Sequence, residues 1–200
     1  MGRMSESTGP GEGGDRMDDG TGPDEVGNGR GKSAAPRIAV LGVGNTLMTD
    51  DGLGAAVIRL LAERNLPKHV TLVADETAGM RLVRHFRESD VVFFVDAIST
   101  EAKPGAVFRF APEDAGIDKL RANNIHGMGL SYLLAAARFT GADPEVVVYA
   151  VQVGDIRPNL DDELTEPVRE AAKFVADGIA GEIASRMGSR LEIGNSGRTP

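Results

Sequence analysis

Arg37-Ile38-Ala39-Val40-Leu41-Gly42-Val43-Gly44-Asn45-Thr46-Leu47-Met48-Thr49-Asp50-Asp51-Gly52-Leu53-Gly54 passes from a short apolar run into a loop of glycines and acids. The run Arg37 to Leu41 is short enough to be a buried strand. After the loop, Val57, Leu60 and Leu61 share one face of a helix over Gly54–Arg64. The same alternation then repeats. Val70–Val73, Val91–Val95, Ala106–Phe110 and Val146–Val151 read as four more strands. Helical spacing marks Ala78–Arg87 (Met80, Val83, Phe86), Gly129–Phe139 (Leu130, Leu133, Leu134) and Thr165 to about Arg186, with Thr165 as its N-cap. Short apolar strands alternating with helices predict an α/β fold: a doubly wound, mostly parallel five-stranded sheet flanked by helices on both faces, a three-layer sandwich. Such a sheet opens its ligand site beyond the carboxyl ends of the strands, where neighbouring connections leave on opposite faces.

A chain of 200 residues, 41% of them hydrophobic, can bury one core. Its first residues are mostly Gly, Asp, Glu, Ser, Thr and Pro, with Val26 the sole branched aliphatic before Ser33. Burial there cannot offset the entropy of ordering, so residues 1–35 are expected to be a disordered tail, 36–188 a single domain and 189–200 a flexible end. The absence of an eighteen-residue apolar run, or of a signal-like stretch near the start, predicts a cytoplasmic protein that does not enter the membrane. A net charge of −8 opposes a nucleic-acid backbone as partner. With no cysteine, any metal must be held by carboxylates and by His69, His85 or His126.

The loop after the first strand resists a nucleotide reading. The dinucleotide fingerprint G-x-G-x-x-G would need glycine where Leu47 stands, and Asp50 and Asp51 would repel a pyrophosphate at the helix start. One Asp there would be read as a helix cap. Two, set among Gly44, Asn45, Gly52 and Gly54, look like a loop that presents one of them. Asp51 is assigned the exposed role and Asp50 the capping or supporting role.

The pattern G-x-G-N-x-L-x-x-D-[DE]-G-x-G, as it stands over residues 42–54, resembles that of the nickel–iron hydrogenase maturation proteases. The likeness continues through Glu76-Thr77-Ala78-Gly79-Met80, Val95-Asp96-Ala97, Asn124-Ile125-His126-Gly127-Met128-Gly129-Leu130 and Leu164-Thr165, covering about Arg37 to Arg186. The resemblance implies an endopeptidase that removes a short C-terminal peptide from a hydrogenase large-subunit precursor after nickel insertion. Its partner would be that precursor, and its only cofactor the nickel the precursor carries, with no organic cofactor. The family's three metal-contacting positions match Asp51, Asp96 and His126.

The residues themselves bear on that set. If the early strands lie in the order two, one, three, the loops leaving strands one and three open together and Asp51 can face Asp96. An acid closing Val91-Val92-Phe93-Phe94-Val95 is hard to explain as core, although it could cap the following turn with Ser99. His126 sits in a polar, glycine-rich stretch, whereas His69 lies in a surface turn and His85 between Arg84 and Arg87. Two carboxylates and an imidazole leave coordination positions open for outside ligands, which suits either a hydrolase with its own metal or a sensor of metal on a substrate. No motif places a Ser, Cys or Lys nucleophile, so attack by water assisted by Asp51 or Asp96 is the expected chemistry.

Overall fold

The computed structural model describes residues 35–76, 79–115, 129–159, 161 and 163–195, with side chains described up to 187. Five strands, β1 (Ile38–Val43), β2 (Val70–Asp75), β3 (Val91–Ile98), β4 (Val107–Phe110) and β5 (Glu145–Gln152), form one sheet in the order β2-β1-β3-β5-β4. The first four positions of that order are parallel, with β1 flanked by β2 and β3, as the switch-point reading requires. β4 closes the edge antiparallel to β5.

Alternation along the strands divides the core in two. Ile38, Val40, Phe93, Val95, Tyr149 and Val151 point to one face, covered by α1 (Leu53–Ala62) and α5 (Glu166–Asn195). Ala39, Leu41, Val92, Phe94, Val148 and Ala150 point to the other, covered by α2 (Val83–Glu88) and α4 (Leu130–Phe139). A short helix, α3 (Pro112–Ala115), follows β4. Both faces of the central strands are therefore dry, which explains why β1, β3 and β5 read as continuous apolar runs. Phe86, Phe93 and Phe94 are fully buried, each contributing roughly 1.5–3 kcal/mol over an exposed ring.

Two helices differ locally from expectation, for physical reasons. The second helix starts as a 3-10 turn, Met80–Leu82, and buries Leu82, Val83 and Phe86 while Met80 stays half exposed. The last helix runs to Asn195 instead of ending near Arg186, since no proline interrupts it there. The edge strand is held by charge as well as by pairing: Arg109 donates from Nε and Nη2 to the two Glu182 oxygens at 2.7 and 2.8 Å, and the Tyr149 hydroxyl donates to the same carboxylate at 2.6 Å. The fork-shaped Arg109 contact depresses the Glu182 pKa against the opposing effect of burial, and burial together with Glu182 pushes Tyr149 up to about 12.

Candidate functional site

The loop after β1 is pressed against the sheet at its glycines. A Cβ on Gly54 would lie 2.3 Å from the Val43 carbonyl oxygen, and one on Gly44 would lie 1.8 Å from that of Asp51. Gly44 also adopts φ +138°, a conformation open to glycine almost alone. Its N–H donates to Asp75 O at 3.2 Å, which seats the loop on the end of β2. Asn45 then organises the turn, its Oδ1 accepting from the Leu47 N–H at 2.9 Å and its own N–H donating to Asp51 Oδ2 at 2.9 Å. Thr49–Gly52 close as a 3-10 turn leading into α1.

Asp51 is consequently buried, with 4% of its surface exposed, against the expectation of an exposed carboxylate. The reason is local: a charge-assisted bond from the Asn45 N–H folds the carboxylate back over its own loop. Asp50 has the supporting role expected of it. It is fully buried, and accepts from Gly154 N at 2.9 Å, Asp155 N at 3.1 Å, Thr165 N at 2.8 Å and Thr165 Oγ1 at 3.0 Å. Thr165 does begin the last helix, its carbonyl accepting from Arg169 N, but its hydroxyl turns to Asp50.

The segment that receives this loop was not singled out in the sequence. Val153 to Asn159 leaves β5 and runs beside residues 47–50. Met48 bridges Pro158, Asn159 N–H donates to Leu47 O, and Thr49 Oγ1 donates to Asp155 O at 2.7 Å while accepting from Arg157 N at 3.0 Å. Gly154-Asp155 and Pro158, emerging from a strand at the carboxyl edge, are the signal that could have drawn attention to it.

Asp96 stands near the carboxyl end of β3, opposite Ala150 of β5, and is 5% exposed. Two residues per repeat put it on the face of Val92 and Phe94, the face covered by α2 and α4. Gly42 pairs with Val95, so the loop bearing Asp51 leaves the sheet beside the strand end bearing Asp96. Beyond it, the buried Gln152 Oε1 accepts from both Thr100 N and Thr100 Oγ1 at 2.6 Å, anchoring the chain that leaves β3. His126 lies outside the described residues. Among the described residues no three His, Asp or Glu side chains converge as a metal-ligand set. His69 packs its Nε2 3.2 Å from Met187 Sδ, and His85 is buried in α2 with Arg84 Nε 3.3 Å from its Nε2. Burial, then the Arg84 charge, hold the His85 pKa below its ordinary value, which fits a structural residue.

The carboxyl edge thus offers two buried acids, Asp96 near the end of β3 and Asp51 in the loop that leaves the adjoining β1, and a carboxylate can contact a cation or take a proton from water. No helix among the described residues is long and apolar enough to cross a membrane. A model of the family described as hydrogenase maturation protease matches residues 55–182, a span that includes Asp96 and begins just after the Asp51 loop. The hydrogenase expression/formation protein HoxM of Azotobacter vinelandii is 33% identical over 156 residues, covering 72% of this chain and 74% of its own. The hydrogenase 2 maturation protease of Escherichia coli is 38% identical over 113 residues, 54% of this chain and 68% of its own. Among solved structures, the hydrogenase maturating endopeptidase HybD from E. coli superposes with a TM-score of 0.66 at 30% identity, over 74% of this chain and 93% of that one. With a family model matching more than half of the chain, and relatives and a solved structure of this likeness, the chain belongs to the hydrogenase maturation protease family.

Proposed function

We propose that this protein is an endopeptidase that removes the C-terminal peptide from the nickel-loaded precursor of a nickel–iron hydrogenase large subunit, with Asp51, Asp96 and His126 contacting the nickel the precursor carries. The observation that carries the reading is the two buried acids, Asp96 in β3 and Asp51 in the loop leaving the neighbouring β1, in a chain of this family. Support for His126 comes from the path of the chain. α4 leads through Thr140–Pro144 to the amino end of β5, so α4 itself starts near the carboxyl edge, on the face to which Asp96 points. His126 stands three positions before Gly129 in the sequence.

In this reading the metal is part of the substrate. The protein's residues supply recognition: oxygen and nitrogen donors with open positions, able to share an ion that the precursor already ligates. Either Asp51 or Asp96 takes a proton from the attacking water, and the departing amine takes one in turn. In this reading no organic cofactor takes part and the reaction belongs to the cytoplasm. The test is to mix the purified protein with precursor loaded with nickel or free of it and follow the released peptide by mass spectrometry. Release from the loaded form alone supports the reading; release from neither form would favour a non-catalytic maturation factor, and hydrolysis of small substrates in added metal a general hydrolase.

A further inference from the structure

We infer that Asp50 is a positioning residue for Asp51: its buried carboxylate fastens the turn that carries Asp51 to the Gly154–Asp155 turn and to the start of the last helix, and so fixes where Asp51 stands in the reaction proposed above, on which this inference rests. A helix cap would need only the bond to Thr165. Here Oδ1 takes the Thr165 N–H at 2.8 Å, while Oδ2 gathers Thr165 Oγ1 at 3.0 Å, Gly154 N at 2.9 Å and Asp155 N at 3.1 Å. All four partners are N–H or O–H donors, and none is a cation. The backbone reinforces the same join, with Asp50 N–H donating to Asp155 O at 3.2 Å and the neighbouring Thr49 Oγ1 donating to that oxygen at 2.7 Å. Space is short as well: a Cβ on Gly154 would sit 3.0 Å from the Pro104 side chain and 3.6 Å from Asp50 Oδ2. Because Asp50 and Asp51 share one peptide unit, any release of the first carboxylate lets the second rotate with its turn.

The chemistry of this cradle makes a conservative change informative. Asparagine at 50 has one oxygen, and its NH2 would face donors wherever it is placed, so the four bonds cannot all survive. The experiment compares Asp50→Asn, Thr165→Val and Thr165→Ser with the full wild-type chain. It measures amide hydrogen exchange over residues 44–54 alongside kcat and KM on nickel-loaded precursor. In Asp50→Asn, exchange in that loop accelerates about tenfold or more while β1 and β3 keep their protection, and kcat falls at least about tenfold with KM within about twofold, the pattern of a misplaced group and not of lost binding. Thr165→Val, which removes one donor, moves both quantities the same way by less, and Thr165→Ser recovers most of the difference. Wild-type loop exchange and kcat in both Asp50→Asn and Thr165→Val would overturn the inference, as would a loss confined to KM or an exchange increase spread evenly through every strand. If Asp50→Asn does not fold, Thr165→Val decides. If the wild-type chain cleaves no precursor, the proposed activity fails, while the exchange data still decide whether Asp50 fixes the loop.

Discussion

Replacing Gly44 by alanine attacks the site through its backbone. Two penalties add at this position. The first is conformational: φ +138° is a region that alanine rarely enters, at a cost of about 1–3 kcal/mol. The second is steric, because the new Cβ would lie 1.8 Å from Asp51 O, and that carbonyl must retreat by roughly 1 Å before the contact is tolerable, an overpacking cost of about 1–3 kcal/mol. Together they remove about 2–6 kcal/mol from a fold whose total stability is on the order of 5–15 kcal/mol. The displaced atom belongs to Asp51 itself, so in molecules that remain folded the cleavage rate should fall about a hundredfold, the typical cost of a 1 Å misplacement. Gly141→Ala provides the comparison: φ is also positive, at +79°, but no atom lies within 4 Å of the added Cβ. That variant should lose only about 1–2 kcal/mol and keep wild-type cleavage. Urea denaturation gives the two stabilities, and release of the peptide from nickel-loaded precursor gives the two rates. A Gly44→Ala protein no less stable than Gly141→Ala, and as fast as wild type, would refute the argument that this glycine seats the Asp51 loop.

Titration of stability tests the charge network on the edge strand and the buried histidine. Glu182 has a folded pKa below its unfolded value, so the folded state binds fewer protons, and the contribution is present above about pH 4.3 and lost as pH falls through the lower folded value. Glu182→Gln should flatten this acid limb in denaturation curves. Tyr149, pushed up to about 12, works in the opposite sense: its contribution is present below about pH 10 and lost as pH rises through 12, a limb that Tyr149→Phe should abolish. His85 titrates below its ordinary value, so folding disfavours its protonated form and stability should decline as pH drops below about 6.5, a slope that His85→Gln removes. Deleting residues 1–34 should leave the melting temperature unchanged, as their composition implies; a fall of several degrees would show that they pack on the domain.

The fold was legible where burial on both faces left a one-dimensional trace. Val91-Val92-Phe93-Phe94-Val95 read as a short buried strand and is covered on both faces, and the glycine-rich turn after Leu41 marked a strand end leading to a helix. α3 was not legible, because Pro112-Glu113-Asp114-Ala115 is too short to show a period. At the site, the acids announced themselves by breaking apolar patterns: Asp96 interrupts a core strand near its carboxyl end and Asp50-Asp51 sit between glycines. The tie of Asp50 into the fold could be read, since one of two adjacent acids beside a helix start is expected to serve its own backbone. The burial of Asp51 could not be, because it depends on the Asn45 N–H turning back on a side chain six positions later. Nor could the part played by Gly154, Asp155 and Thr165, which meet Asp50 only through tertiary contact across a hundred residues of chain.

The central claim is that this fold cleaves a precursor only after finding nickel in it. Purified wild-type protein and its Asp51→Asn, Asp96→Asn and His126→Ala variants, each mixed with large-subunit precursor with and without nickel, answer it through mass spectrometry of the released C-terminal peptide. The account predicts release by the wild-type chain from the nickel-loaded precursor alone, and loss of release in all three variants. Equal release from nickel-free precursor, or undiminished release by both Asn variants, would contradict it.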